Sequence, residues 1–303
     1  MLNTEDIVKR VKETGAKRIF LQVPEGLKTG VLELSESLDR QGIRVFVSVE
    51  RCYGACDLRD HEALLLGCDL LLHIGHSDLG IKTEVPVLYY EYSLPLDIAP
   101  LLEKNLGKLK KLPPRVGLLT TIQFINYLPE ARKFLEKHGK KTIQAGHILG
   151  CDHSAAREAE SRVDCFLFIG SGRFHPLGIL KATEKPVFFL DIEKRALHDL
   201  SPEREKEKIK SILRMEKARS LRRFGILVSM KKGQLHMRDA LETKHALEKM
   251  GKKAFLLTAD EFTPDKLLGL DLDCLVNTAC PRLADDSELF RKPILTKEEA
   301  ETL

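Results

Sequence analysis

The sequence predicts an α/β fold built from three pseudo-equivalent small domains, each a parallel sheet flanked by helices, arranged around a common centre. Three observations lead there. A strand signal recurs three times, charged helix-like stretches alternate with short apolar runs along the whole chain, and Cys56, Cys151 and Cys280 each stand just beyond a predicted strand. Alternating strand and helix at these lengths is the pattern of parallel α/β units.

The repeat becomes visible when the chain is laid against itself. Its clearest element reads Cys68-Asp-Leu-Leu-Leu-His-Ile-Gly-His76, then Asp164-Cys-Phe-Leu-Phe-Ile-Gly-Ser171, then Asp273-Cys-Leu-Val-Asn-Thr-Ala-Cys280. Each copy has an Asp at or next to its start, an apolar run suited to a buried parallel strand, and small or polar residues at its end. The matched ends are His76, Ser171 and Cys280. An earlier strand is expected in each copy at 17–26, 115–123 and 223–229, and a helix then a further strand at 44–50, 141–148 and 253–259. Fourth strands are expected at 85–90, 186–190 and, shortened, 293–295. The expected domains are 1–108, 109–218 with a linking helix, and 219–303. Residues 203–223, rich in Lys and Arg on a helical period, read as a long solvated helix with i,i+4 ion pairs, and the lysine-rich 104–111 as a similar linker.

Composition narrows the function. A chain of 303 residues is long enough for two or three domains, and 43% hydrophobic content supports cores without covalent staples. With 49 basic against 45 acidic residues the net charge of +4 is too small to argue for direct nucleic-acid binding. The sequence has no uninterrupted apolar run long enough for a membrane span, and its N-terminus lacks a signal-peptide pattern, so the expected location is cytoplasmic with no membrane partner. Seven cysteines in such a chain point to metal binding or burial. Cys68, Cys165 and Cys274, at strand entries, read as small buried hydrophobes. Cys52, four residues before Cys56, is a zinc partner or a spare thiol.

Ligands collect at the carboxyl ends of parallel strands, where the remaining cysteines lie. Gly54-Ala55-Cys56-Asp57 and Leu149-Gly150-Cys151-Asp152 match each other after the second strand of their copies, whereas Cys280 breaks register by following the third. Small neighbours leave room for a bulky group. Three converging thiolates suit a 4Fe-4S cluster with one open iron. Inert loop thiols, or a zinc site that adds His147 or His153, are the alternatives.

Arg51-Cys-Tyr-Gly-Ala-Cys56-Asp, Leu149-Gly-Cys151-Asp and Asn277-Thr-Ala-Cys280-Pro-Arg282, with Val23-Pro-Glu-Gly26 and Gly225-Ile-Leu-Val-Ser229, resemble the archaeal diphthamide-synthesis family, the 2-(3-amino-3-carboxypropyl)histidine synthases. The resemblance covers essentially the whole chain. It implies a homodimer of three-domain subunits with a central 4Fe-4S cluster in each, held by one cysteine per domain: Cys56, Cys151 and Cys280. It implies a non-canonical radical use of S-adenosylmethionine, cleaved between sulfur and its γ-carbon, with the 3-amino-3-carboxypropyl group passing to a histidine of translation elongation factor 2. An electron donor is implied as well. The chain lacks the CxxxCxxC loop of conventional radical enzymes.

Positioning the cofactor falls to the strand-end loops, where Gly75, His76, Thr120, Thr121, Gly170, Ser171, Gly172, Arg173, His175, Ser229 and Gln234 stand. Backbone amides and hydroxyls there are suited to a carboxylate. Structural roles compete: His73 as a satisfied core histidine, Thr120 and Thr121 as helix caps, Arg173 as a surface residue and Glu25 as a turn residue. Two other readings share the architecture. One is a 4Fe-4S Lewis-acid dehydratase resembling quinolinate synthase, and the other a non-catalytic metal-binding subunit.

Overall fold

The computed structural model describes residues 2–284 and 287–303. The first sheet contains β1 (Arg18–Gln22), β2 (Arg44–Val47), β3 (Leu70–Ile74) and β4 (Val87–Tyr90), in the order β2-β1-β3-β4 and parallel throughout. The second contains β5 (Arg115–Thr120), β6 (Lys141–His147), β7 (Cys165–Gly170), β8 (Val187–Asp191) and β9 (Ala196–Asp199), ordered β6-β5-β7-β8-β9. The third contains β10 (Arg223–Ser229), β11 (Lys253–Ala259), β12 (Cys274–Asn277) and β13 (Ile294–Thr296), ordered β11-β10-β12-β13. The threefold strand repeat is therefore real, and the fold is the expected α/β. The chain divides into two compact units, Met1–Ser201 with the first two sheets and Pro202–Leu303 with the third.

One strand was not expected. β9 pairs antiparallel with β8, because Asp191 closes a tight turn: its Oδ1 accepts the N–H groups of Glu193 and Lys194 at 3.0 and 3.1 Å. An Asp side chain that bonds backbone two and three residues on reverses the chain in this way.

The conserved-in-place aspartates of the repeat have a physical task. Asp69 accepts the N–H groups of Lys17 and Arg18, both at 3.0 Å. Asp164 accepts the Arg115 N–H at 3.0 Å and grips its guanidinium. Asp273 accepts the N–H groups of Arg222 and Arg223 at 3.1 and 2.8 Å. In every sheet the carboxylate that opens the third strand thus clamps the start of the first, where backbone donors would otherwise have no ladder partner.

Side chains alternate across each sheet and bury on both faces. In the first sheet Ile19, Leu21, Leu70 and Leu72 pack against Ile7, Val11, Leu34 and Leu38 of the helices Thr4–Thr14 and Val31–Asp39, while Phe20 and Leu71 meet Leu58, Ala63 and Val85 behind. In the second, Val116, Leu118, Leu167 and Ile169 share one core, and Leu119, Phe166 and Phe168 the other. In the third the same division sets Phe224, Ile226 and Val276 against Leu227 and Leu275. Cys68, Cys165 and Cys274 are all buried in these cores.

One linker differs from its expected character, and the other matches it. The segment 104–111 is not merely solvated: its Leu109, with the flanking Leu101, Leu102 and Leu112, enters the core of the second sheet, and the Asn105 Oδ1 accepts the Leu197 N–H at 2.9 Å. The long charged helix runs Ser201–Arg219 and stops before Arg223, which starts β10. Its only buried residue is Ala218, and i,i+3 ion pairs such as Glu203 with Lys206 line its outside. Ser211 and Arg214 fasten it to Glu299 in the helix Lys297–Glu301.

Candidate metal and cofactor site

With strand order 2-1-3-4, the connections leave the first and third strands in opposite directions, which opens a crevice at their carboxyl ends. In the first sheet Gln22 of β1 lies in register with His73 of β3. Gln22 is 1% exposed and His73 0%, so both must find partners inside. Gln22 Nε2 donates to the Asp57 carbonyl at 2.6 Å, which turns Oε1 toward the Arg59 N–H at 3.4 Å and His73 Nδ1 at 3.2 Å. His73 Nδ1 therefore donates, and its Nε2 accepts from His76 Nδ1 at 3.0 Å. Burial, then the neighbouring His76, brings the His73 pKa down to about 3, and burial brings His76 down to about 4. His73 is thus the satisfied core histidine expected, but it also orients His76.

Cys56 and Cys151 occupy loops of the first unit. Asp57 N–H to Gly54 carbonyl at 3.0 Å closes the turn around Cys56. A Cβ on Gly54 would stand 3.4 Å from the Cys56 sulfur, so the two residues lie against each other. Around Cys151, the Asp152 N–H bonds the Leu149 carbonyl at 2.9 Å and Gly150 takes φ +62°, a value that favours glycine. Asp152 then accepts from Ser154 N–H at 2.8 Å, starting the helix Ser154–Ala159. Cys151 lies at the surface, yet surrounding protein pushes its thiol pKa up, and the charge of Cys56 adds to that push. The two thiols are within electrostatic reach of one another.

The second sheet's crevice carries Thr120 and Thr121, both buried. They do not act as caps: the Thr120 hydroxyl donates to the Ile169 carbonyl at 2.6 Å, and Thr121 precedes the turn Ile122–Tyr127 without a side-chain capping bond. Gly170 ends β7, and Ser171 and Gly172, the latter at φ +70°, lead into the helix Phe174–Ala182. His175 belongs to that helix rather than to the loop, stacked on Phe168 with ring centroids 6.1 Å apart. Glu25, likewise, opens the helical turn Glu25–Gly30 and pairs with Lys28. The first and second crevices are tied together by Gln123, whose Nε2 donates to the Gly75 carbonyl at 3.0 Å.

In the second unit the Ser229 hydroxyl donates to Gln234 Oε1 at 3.2 Å and accepts the Lys231 N–H at 3.2 Å, so these two predicted residues do meet. Cys280, half-buried, ends a turn organised by Asn277: its Nδ2 donates to the Cys280 carbonyl at 2.8 Å and its Oδ1 accepts the Ala279 N–H at 3.0 Å. Thr278 Oγ1 donates to the Leu227 carbonyl at 2.9 Å, binding this turn to β10.

The diphthamide synthesis protein model matches residues 23–303. The chain belongs to the diphthamide synthesis protein family. Its relatives include the 2-(3-amino-3-carboxypropyl)histidine synthase of Pyrococcus horikoshii, 39% identical over 98% of this chain and 89% of that protein. The synthase of Methanocaldococcus jannaschii is 32% identical over 98% of this chain and 88% of its own. The crystal structure of Dph2 from Pyrococcus horikoshii with a 4Fe-4S cluster superposes with a TM-score of 0.92 at 37% identity, covering 100% of this chain and 90% of that one. The chain is an enzyme, of the transferase class to which these synthases belong.

Within this family fold, the residues present suit an iron–sulfur group. Thiols are the donors such clusters take, and Gly54 and Gly150 leave the backbone beside Cys56 and Cys151 unencumbered. The zinc alternative through His147 and His153 is less well supplied. Among the described residues, the grouping of three or more donors close enough for one ion is Cys52, His73 and His76. Gln22 and Gln123, which tie these loops together, carry no local signal in the sequence that singles them out.

Proposed function

We propose that this chain is a 2-(3-amino-3-carboxypropyl)histidine synthase that modifies a histidine of translation elongation factor 2. The observation that carries the reading is the likeness of the chain over nearly its full length to named synthases, with Cys56 and Cys151 on strand-end loops of one unit. Cys56, Cys151 and Cys280 are the residues that would hold a 4Fe-4S cluster, which when bound and reduced would supply the electron needed to cleave S-adenosylmethionine between sulfur and its γ-carbon.

The chain's own residues orient the cofactor. Ser171 and the backbone N–H groups entering the helix Phe174–Ala182 receive the amino-acid carboxylate, where the helix dipole favours an anion. Thr120, Thr121 and Gly170 of the first unit offer further contacts for the cofactor, as do Ser229 and Gln234 of the second, which are held to each other. The reading includes an electron donor and a homodimer in the cytoplasm.

The test is anaerobic turnover with elongation factor 2. A mass gain on its histidine equal to an aminocarboxypropyl group, with methylthioadenosine released, is the expected result. Reconstituted protein should carry about four irons and four sulfides per chain. Cys280→Ala should strip iron, and Cys165→Ala should keep it. Iron content that ignores Cys280→Ala, or turnover without methylthioadenosine, would overturn the proposal.

A further inference from the structure

We propose that Cys52, His73 and His76 form a binding site for a single divalent cation of the zinc type, distinct in its donors from the cysteines assigned to the cluster. The Cys52 sulfur and one ring nitrogen from each histidine lie within 4.8 Å of one another. Cys52 is 3% exposed and His73 0%, so two of the three donors are packed in the interior, where a chance surface cluster would not be. One thiolate and two imidazoles form a borderline-soft set that zinc and cobalt favour and that calcium and magnesium, which seek oxygen, do not.

The surroundings of His73 are those of a metal-bound imidazole. Ligand histidines as a rule give their second N–H to a fixed acceptor, which sets the tautomer and aims the other nitrogen at the ion. His73 Nδ1 has such an acceptor in Gln22 Oε1 at 3.2 Å, and Gln22 is itself anchored on the Asp57 carbonyl at 2.6 Å. His73 Nε2 is left with its lone pair toward His76 Nδ1, 3.0 Å away. His76, half-buried, gives the ion a way in from solvent.

Binding balances simply. The ion takes the place of the hydrogen between His73 Nε2 and His76 Nδ1; that proton passes to His76 Nε2, so the ring stays neutral, and Cys52 gives up its thiol proton to solvent. One proton leaves per cation, with no change of oxidation state. Three protein ligands leave a fourth position open for water or a substrate group, as in zinc sites that act on ligands. A zinc ion there places a net positive charge on the loop that goes on to Cys56.

The site needs no cluster, so its test is separate from that of the synthase reading. Cobalt(II) is titrated anaerobically into the full chain carrying Cys56→Ala, Cys151→Ala and Cys280→Ala. The expected result is one equivalent bound, with the near-ultraviolet thiolate-to-cobalt band and the visible bands of a four-coordinate site. Adding Cys52→Ser should abolish the thiolate band, and adding His73→Ala should weaken binding at least about tenfold, the range seen for lost metal supports and ligands. Absence of the band in the triple variant, or its survival in Cys52→Ser, overturns the proposal. Should the triple variant fail to fold, elemental analysis of the cluster-loaded wild-type chain decides: zinc beside iron, lost in Cys52→Ser while the cluster absorbance stays, is expected, and equal zinc in both chains refutes the site.

Discussion

Burial separates the cysteines into two chemical kinds. Burial pushes the Cys165 and Cys274 thiols up to about 12 from 9.0, and raises Cys68 as well. The thiolate is the reactive form. Under mild anaerobic alkylation of the native, cluster-free chain, Cys151 at the surface should be labelled well before Cys165 and Cys274, which should react only on unfolding; peptide mass spectrometry reads the order. Equal labelling would contradict the packing described. At this scale the sequence was half legible. An apolar strand entry is enough to place Cys165 in a core, but Gln22 and His73 are 51 residues apart, and no local pattern announces that they bond. Cys52 read as ambiguous for the same reason, because its neighbours His73 and His76 lie in and just beyond β3, past the helix Asp60–Leu65.

At the scale of elements, the repeat is most exact where two glycines stand third in the first strand of their sheets. A Cβ on Gly117 would come within 2.7 Å of the Phe166 ring, and one on Gly225 within 2.8 Å of Leu257. Both face residues fully or largely enclosed by the core, so Gly117→Ala should destabilise by about 1–3 kcal/mol through overpacking, and Phe166→Ala by about 3–5 kcal/mol through the cavity it leaves. Urea unfolding measures both, and a neutral Gly117→Ala would mean that Phe166 moves freely. The charged helix makes a pH prediction. Burial raises the Glu299 pKa, but hydrogen bonds from Arg214 and Ser211 outweigh it and leave the carboxyl below its ordinary 4.5. A lowered folded pKa means that its stabilisation is full above 4.5 and fades as pH falls through the folded value. The stability gap between wild type and Glu299→Gln should therefore narrow on acidification below 4.5, and a gap that widens would contradict the assignment. Strand positions were readable from apolar runs because parallel strands bury both faces. β9 was not, since its signal is a single Asp turn and four residues of mixed character.

At the scale of the molecule, each hydrophobic cluster described lies within either Met1–Ser201 or Pro202–Leu303. A unit with its own core is expected to fold alone. The fragment 202–303 should show cooperative urea unfolding by circular dichroism, and a gradual, non-cooperative loss of signal would refute its independence. The threefold organisation was legible because a repeated strand with a leading Asp survives in all three copies. The grouping of the first two sheets in one unit was not, because it depends on contacts such as Gln123 with Gly75 that cross the repeat. Thr120, Thr121, Ser229 and Gln234 were legible as residues at strand ends and in their loops, whereas Gln22 and Gln123 were hidden, since their partners are distant in sequence.

The aspartate clamps lie at the amino ends of the sheets, and Cys56, Cys151, Cys280 and His76 beyond the opposite ends of their strands. This polarity uncouples what holds a sheet together from what it does. A copy can exchange its strand-end residues without touching the carboxylate that sets its register, and the third copy has done so: Asp273 grips Arg222 and Arg223 as its counterparts do, while the thiol has moved from the end of the second strand to the end of the third. Three sheets with the same clamp are similar frames whose strand ends can differ while their register is held.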